Sequence, residues 1–195
     1  MKKKILWSGP DHTHLLTMFR NLIIKSGIKE QQHLIFAGCE GPCYSMATFF
    51  CFVIRDLKLN LYFATDADMG RLWRLEHQRD LGIVARKHEA PVKASVIVLM
   101  SGLTEIPFAH VLTFVDKALI KGGIIIGETV VAGLFEEKGW DKKISFNYLF
   151  EFSMRDPTAY EVEGKWHHET SRIKIDPLCQ YSITPIELLN SITYG

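Results

Sequence analysis

Four short apolar runs mark the chain, at residues 34–37, 59–64, 95–100 and 123–127. The third reads Ser-Val-Ile-Val-Leu-Met and the fourth Gly-Ile-Ile-Ile-Gly, with almost no alternation of polar and apolar positions. Strands covered by helices on both faces carry this pattern. Residues 82–85 make a weaker strand candidate. Helical patterns lie between the runs. Residues 44–55 are apolar nearly all round, which predicts a sandwiched helix. Residues 69–78 predict a second helix, with Arg71, Arg74 and Arg79 on or beside it. In residues 107–121, Phe108, Val111, Leu112, Val115 and Leu119 have helical spacing. Thr104 and Pro107 suit that helix's start and Gly122-Gly123 its end. Residues 130–138 predict a short helix closed by Gly139, and residues 11–25 a helix capped by Asp11.

Alternation of this kind predicts parallel pairing through right-handed crossovers. After Trp140 the character changes. Residues 144–152, Ile-Ser-Phe-Asn-Tyr-Leu-Phe-Glu-Phe, alternate in part and predict an antiparallel edge strand. Residues 160–175 suit a hairpin and residues 185–192 a final helix. The expected architecture is therefore α/β: a three-layer, Rossmann-like, mainly parallel sheet with a C-terminal antiparallel β extension. It forms one domain over residues 1–195, with its core at about 30–156 and the extension at about 157–195.

Composition sharpens this only at the edges. Hydrophobic residues are 47% of the 195, enough for a sizeable core. The formal net charge of +1 gives no reason to expect nucleic acid or an anionic membrane as partner. The basic start, Lys2-Lys3-Lys4, leads into only three apolar residues before Ser8-Gly9-Pro10, unlike a secretory signal. The apolar stretch at residues 46–54 is too short to span a bilayer. Reduced thiols and a cytoplasmic location are expected for the four cysteines.

Ligands of open parallel sheets gather outside the carboxyl ends of the strands, so four loops carry the candidate chemistry. The first is Gly38-Cys39-Glu40-Gly41-Pro42-Cys43. Its glycines let backbone approach a ligand, and the following helix start offers free N–H groups to an anion. It is neither a Walker loop nor a dinucleotide fingerprint. The alternative is a tight, well-packed turn. Cys43, at the helix start, is a candidate nucleophile or metal ligand whose pKa such a position can lower. It can equally be a small buried hydrophobe. Cys39 and Cys43 lack the third cysteine of a radical iron–sulfur site, and Cys51 reads as core. The second loop, Thr65-Asp66-Ala67-Asp68, offers Asp66 for ribose hydroxyls and Asp68 as a helix cap. The third holds Ser101 and Gly102. In the fourth, Glu128 follows the Ile-Ile-Ile strand and is a candidate acid, base or ligand anchor.

No metal site is expected. His12 and His14 would point apart on a helix. His167 and His168 would face opposite ways on a strand. No Gly-x-Ser-x-Gly elbow is present, so no serine hydrolase is proposed.

Residues 33–68, Ser101-Gly102-Leu103, Ile126-Gly127 and the Phe-Glu-x-x-Gly-Trp piece at 135–140 with Ile144-Ser-Phe-Asn together resemble the archaeal domain-of-unknown-function family 2124, found mainly in methanogens. The similarity covers about residues 33–156. It implies an intracellular archaeal setting and brings no catalytic residues. Residues 115–128 also resemble the late helix, Gly-Gly turn and strand of class I methyltransferases that use S-adenosylmethionine. That likeness would give Gly38 the methionine part and Asp66 the ribose. The first loop departs from it, lacking Gly-x-Gly-x-Gly.

Three functions remain open. The first is binding of a small, nucleotide-like or anionic ligand at Gly38, Cys39, Gly41, Cys43, Asp66, Ser101, Gly102 and Glu128, with Cys43 and Glu128 as catalytic candidates. The second is methyl transfer from S-adenosylmethionine. The third is a non-catalytic scaffold or homo-oligomer subunit, assembling through Trp140, Phe146, Tyr148, Phe150, Phe152 and Tyr160. If those aromatics face the core instead, they are packing.

Overall fold

A computed structural model of the chain describes residues 3–8 and 14–152. They belong to a unit that ends at Pro157. In chain order the elements are α1 (Leu15–Lys25), β1 (His33–Gly38), α2 (Pro42–Val53), β2 (Asn60–Thr65), β3 (Leu72–Gln78), β4 (Gly82–Lys87), β5 (Ala94–Met100), α3 (Phe108–Ala118), β6 (Leu119–Thr129), α4 (Leu134–Glu137) and β7 (Tyr148–Glu151). The seven strands form one sheet in the order β4-β3-β2-β1-β5-β6-β7. The five strands from β2 to β7 across this order run parallel. Strands β3 and β4 are antiparallel and close one edge.

The sheet is covered on both faces, which is why its central strands show no alternation. Phe36, Val98 and Ile126 face α1 and α2, meeting Phe19, Phe50 and Cys51. Ile35, Ile97 and Ile125 face the other way, toward Val111 and Phe114 of α3 and Phe135 of α4. Phe19 and Phe50 stack at 3.9 Å between ring centroids and tie the two helices of the first layer together. The expected mainly parallel α/β architecture is what the molecule has. Among the described residues no helix is long and apolar enough to cross a membrane.

Local departures each have a physical cause. Residues 69–78 are not a helix but a 3-10 turn, Met69–Arg71, leading into β3. Asp66 and Ala67 both take left-handed backbone, φ 53°, and turn the chain back beside β2. Leu72 and Leu75, whose spacing suits a helical stripe, are instead buried positions of a twisted strand. Gly122-Gly123 does not end α3, which stops at Ala118. The pair lies inside β6, where Gly122 has φ 76° and the register with β5 shifts. Residues 148–151 do form an edge strand, but it runs parallel to β6 rather than antiparallel, because the chain crosses back through α4 before pairing. Helix α2 is not sandwiched: Phe49 and Phe52 are 59% and 46% exposed.

The described aromatics after residue 139 mostly pack inward. Trp140 and Phe150 are buried, and Phe146, Tyr148 and Phe152 lie against the two cores. Asp11, His12, Tyr160, the hairpin expected at 160–175, His167, His168 and the helix expected at 185–192 lie outside the described residues.

Candidate site at the carboxyl ends of β1, β5 and β6

Counted among the parallel strands alone, the order is second, first, third, fourth, fifth. The chain leaves β1 for β2 on one side and later returns to β5 on the other. The segment after β1 rises into α2 on one face, and the segment after β5 enters α3 on the opposite face. The two connections diverge, and the gap between them is the switch point where doubly wound sheets bind ligands.

Two thiols stand in that gap. Cys39 is the first residue after β1 and is half-buried; Cys43 is the second residue of α2 and is 7% exposed. Gly41, at φ 79° and ψ −106°, bends the chain between them, a conformation that side chains disfavour. Pro42 then starts the helix, where its missing N–H costs nothing. The Cys39 thiol donates to the Cys43 sulfur at 3.2 Å.

Two glycines make room for the pair. A Cβ on Gly38 would stand 2.5 Å from the Cys43 Cβ. A Cβ on Gly102 would stand 2.5 Å from the Cys39 sulfur and 2.6 Å from the Cys43 sulfur. The β1 loop and the β5 loop therefore touch through sulfur and a bare Cα. Burial pushes the Cys43 thiol up to about 12, and the hydrogen bond with Cys39 adds to the rise. Amide N–H groups of Cys39 and Gly102 oppose it by favouring the thiolate. The lowering expected from the helix start is thus reversed, because desolvation outweighs the amides. Cys51 is fully buried in the core, as expected, and its thiol is pushed up by desolvation alone.

Glu128 is the other unusual group. It sits one residue from the end of β6, only 2% exposed, in register with Met100 of β5 and Phe150 of β7. Burial raises its carboxyl to about 7, and the Ser101 backbone N–H partly offsets the rise. Ser101 and Gly102 are adjacent, so one dipeptide presents successive amides to Glu128 and to Cys43.

Asp66 lies one strand away. Its N–H donates to the Gly38 carbonyl at 2.8 Å, which fixes the β2 loop against the β1 loop. Its carboxylate accepts from Arg71 Nη1 at 2.7 Å, and the same guanidinium pairs with Glu40. Arg71 therefore latches the two loops together. Its sequence pattern sets it on a predicted helix and does not reveal this role; an arginine close behind an acidic loop is the signal that could have found it. Asp68 accepts from the Gly70 N–H at 2.8 Å and caps the 3-10 turn.

All eight expected site residues lie at the carboxyl edge. Gly38 lies against Cys43, Gly102 lies against both Cys39 and Cys43, and the neighbouring Ser101 N–H faces Glu128. Gly41 shapes the bend and Asp66 stands beside it. Where the loops converge, the two thiols lie against Gly102, and the Arg71 side chain spans Asp66 and Glu40 at the surface. A groove of about 510 Å³ lies elsewhere, lined by Trp7, Met18, Leu22 and Tyr148 near the β7 edge. Among the described residues, no group of three or more His, Cys, Asp or Glu side chains is placed to hold a metal.

The chain is similar to other archaeal proteins. An uncharacterized protein of Methanocaldococcus jannaschii is 29% identical over 153 residues, which cover 77% of this chain and 91% of that one. An uncharacterized protein of Methanothermobacter thermautotrophicus is 27% identical over 150 residues, covering 73% and 90%. A crystal structure of a protein of unknown function from Methanothermobacter thermautotrophicus superposes with a TM-score of 0.68 at 23% identity, covering 84% of this chain and 99% of that one. That likeness establishes the shared fold. The family of uncharacterized proteins conserved in archaea, DUF2124, matches residues 12–155, and the chain belongs to it.

Proposed function

We propose that the protein binds a small ligand at the switch point between β1 and β5, with Cys39, Cys43 and Glu128 as its chemically active side chains. One observation carries the reading: the Ser101-Gly102 dipeptide brings a thiol pair and a buried carboxyl to the same rim of the sheet. Buried, protonatable groups at such a rim are the arrangement that ligand and catalytic sites use. A helix start such as that of α2 favours an anionic or nucleotide-like ligand. The test is native mass spectrometry of the protein isolated from its own archaeal host. A retained small molecule, lost in a Cys39→Ser, Glu128→Gln double variant, is the expected outcome. A bare chain mass, together with no thermal shift from a panel of nucleotides and phosphorylated metabolites, would remove the reading.

Methyl transfer from S-adenosylmethionine is less well supported. It needs Asp66 for ribose hydroxyls, and that carboxylate is engaged by Arg71. Calorimetric titration with S-adenosylmethionine decides it.

A further inference from the structure

We propose that Cys39 and Cys43 are an exchange-active dithiol that reduces a small disulfide, Cys39 attacking and Cys43 resolving. The inference deepens the switch-point reading by naming a substrate class, and it rests on that reading for the place where the substrate docks.

Three features point to this chemistry. The sulfurs are 3.2 Å apart. Closing them to a disulfide of about 2.05 Å needs a shift of roughly 1 Å, and the bend at Gly41 supplies compliance. A tetrahedral metal with bonds of about 2.3 Å would instead hold two sulfurs nearly 4 Å apart and would need further ligands. The pair is also asymmetric. Cys39 is half-buried, while Cys43 is buried in α2 against Gly102 of the β5 loop. An accessible attacker backed by a hidden partner is what sequential exchange requires. Finally, Gly102 lies against both sulfurs where any side chain would overlap them. Its bare Cα leaves both sulfurs in place, and its amide favours negative charge on Cys43.

The reaction balances as follows. The Cys39 sulfur, its proton released, attacks one sulfur of R–S–S–R. That S–S bond breaks and the first R–S⁻ leaves, taking up a proton. Cys43 then gives up its proton, the Gly102 amide favouring the thiolate, and its sulfur attacks the Cys39 sulfur of the mixed disulfide. The second R–S⁻ leaves and takes that proton. One substrate disulfide gains two electrons and two protons and becomes two thiols, and the protein dithiol becomes a disulfide.

The test uses the full reduced chain with bis(2-hydroxyethyl) disulfide as probe, followed by acid quenching, alkylation and peptide mapping. The wild type should lose two hydrogens and yield a Cys39–Cys43 linked peptide. Cys43→Ser should stop at a mixed disulfide on Cys39. Persistence of both free thiols in the wild type, with folding verified by circular dichroism, overturns the proposal. If a host-derived ligand is retained but no link forms, the exchange chemistry fails and the ligand reading stands. A link formed without any retained ligand supports the exchange chemistry and counts against a stably held ligand.

Discussion

Cys43 and Glu128 flank a single dipeptide, with the Gly102 amide turned to the sulfur and the Ser101 amide to the carboxyl. The two groups come from helix α2 and strand β6 and lie far apart in sequence. Only the parallel placing of β1, β5 and β6 brings them to one loop. Any change at that loop is felt by both.

Gly102 is the sharpest probe of the contact. Its backbone is outside the left-handed region, so alanine carries no φ strain there. The new Cβ, however, would stand 2.5 and 2.6 Å from the two sulfurs. Gly102→Ala should cost about 1–3 kcal/mol through overpacking. In a Cys39→Ala, Cys43→Ala background the same change should cost well under about 1 kcal/mol. Urea unfolding of the four proteins checks this; equal costs in both backgrounds would show that the sulfurs are not what the Cβ meets.

Glu128 should make stability depend on pH. Burial raises its carboxyl from an ordinary 4.5 to about 7. Between those values the folded chain holds the proton and the unfolded chain does not. The stability from this group is complete below pH 4.5 and is lost as pH rises through 7. The shift corresponds to about 3 kcal/mol. Glu128→Gln should flatten that slope, gaining most over the wild type above about pH 8. Unfolding free energies measured across this range give the answer.

Neighbouring phenylalanines on α2 should behave oppositely. Phe50 is fully buried against Phe19, while Phe49 is 59% exposed. Phe50→Ala should cost about 3–5 kcal/mol. Phe49→Ala should change stability by less than about 1 kcal/mol. Denaturation midpoints of the two variants measure the contrast.

The Arg71 latch should matter to loop order more than to stability. Both carboxylates it binds are on the surface. Arg71→Met should cost no more than about 1 kcal/mol. It should nevertheless speed amide hydrogen exchange at Asp66, whose N–H bonds to Gly38. Unchanged exchange there would mean that the backbone bond alone holds the loop.

Much of the fold is written locally. The unbroken apolar runs of β1, β2, β5 and β6 specify strands buried on both faces, because every position there must avoid water. The stripe from Phe108 to Val115 likewise specifies α3, and the glycine and cysteine placement flags the loop after β1. Other features are not local. Residues 72–78 carry a helix-like spacing, but two left-handed residues at 66 and 67 and the open edge of β2 make them a strand. The direction of β7 depends on how the chain crosses through α4, which no residue of β7 encodes. The same limit applies to the site. Sequence alone points to Cys39, Cys43, Gly102 and Glu128, since glycine, thiol and carboxylate at strand ends are chemically conspicuous. That Gly102 covers both sulfurs, and that burial raises Cys43 and Glu128, was decided by tertiary packing, because desolvation and close approach depend on neighbours that only folding brings together.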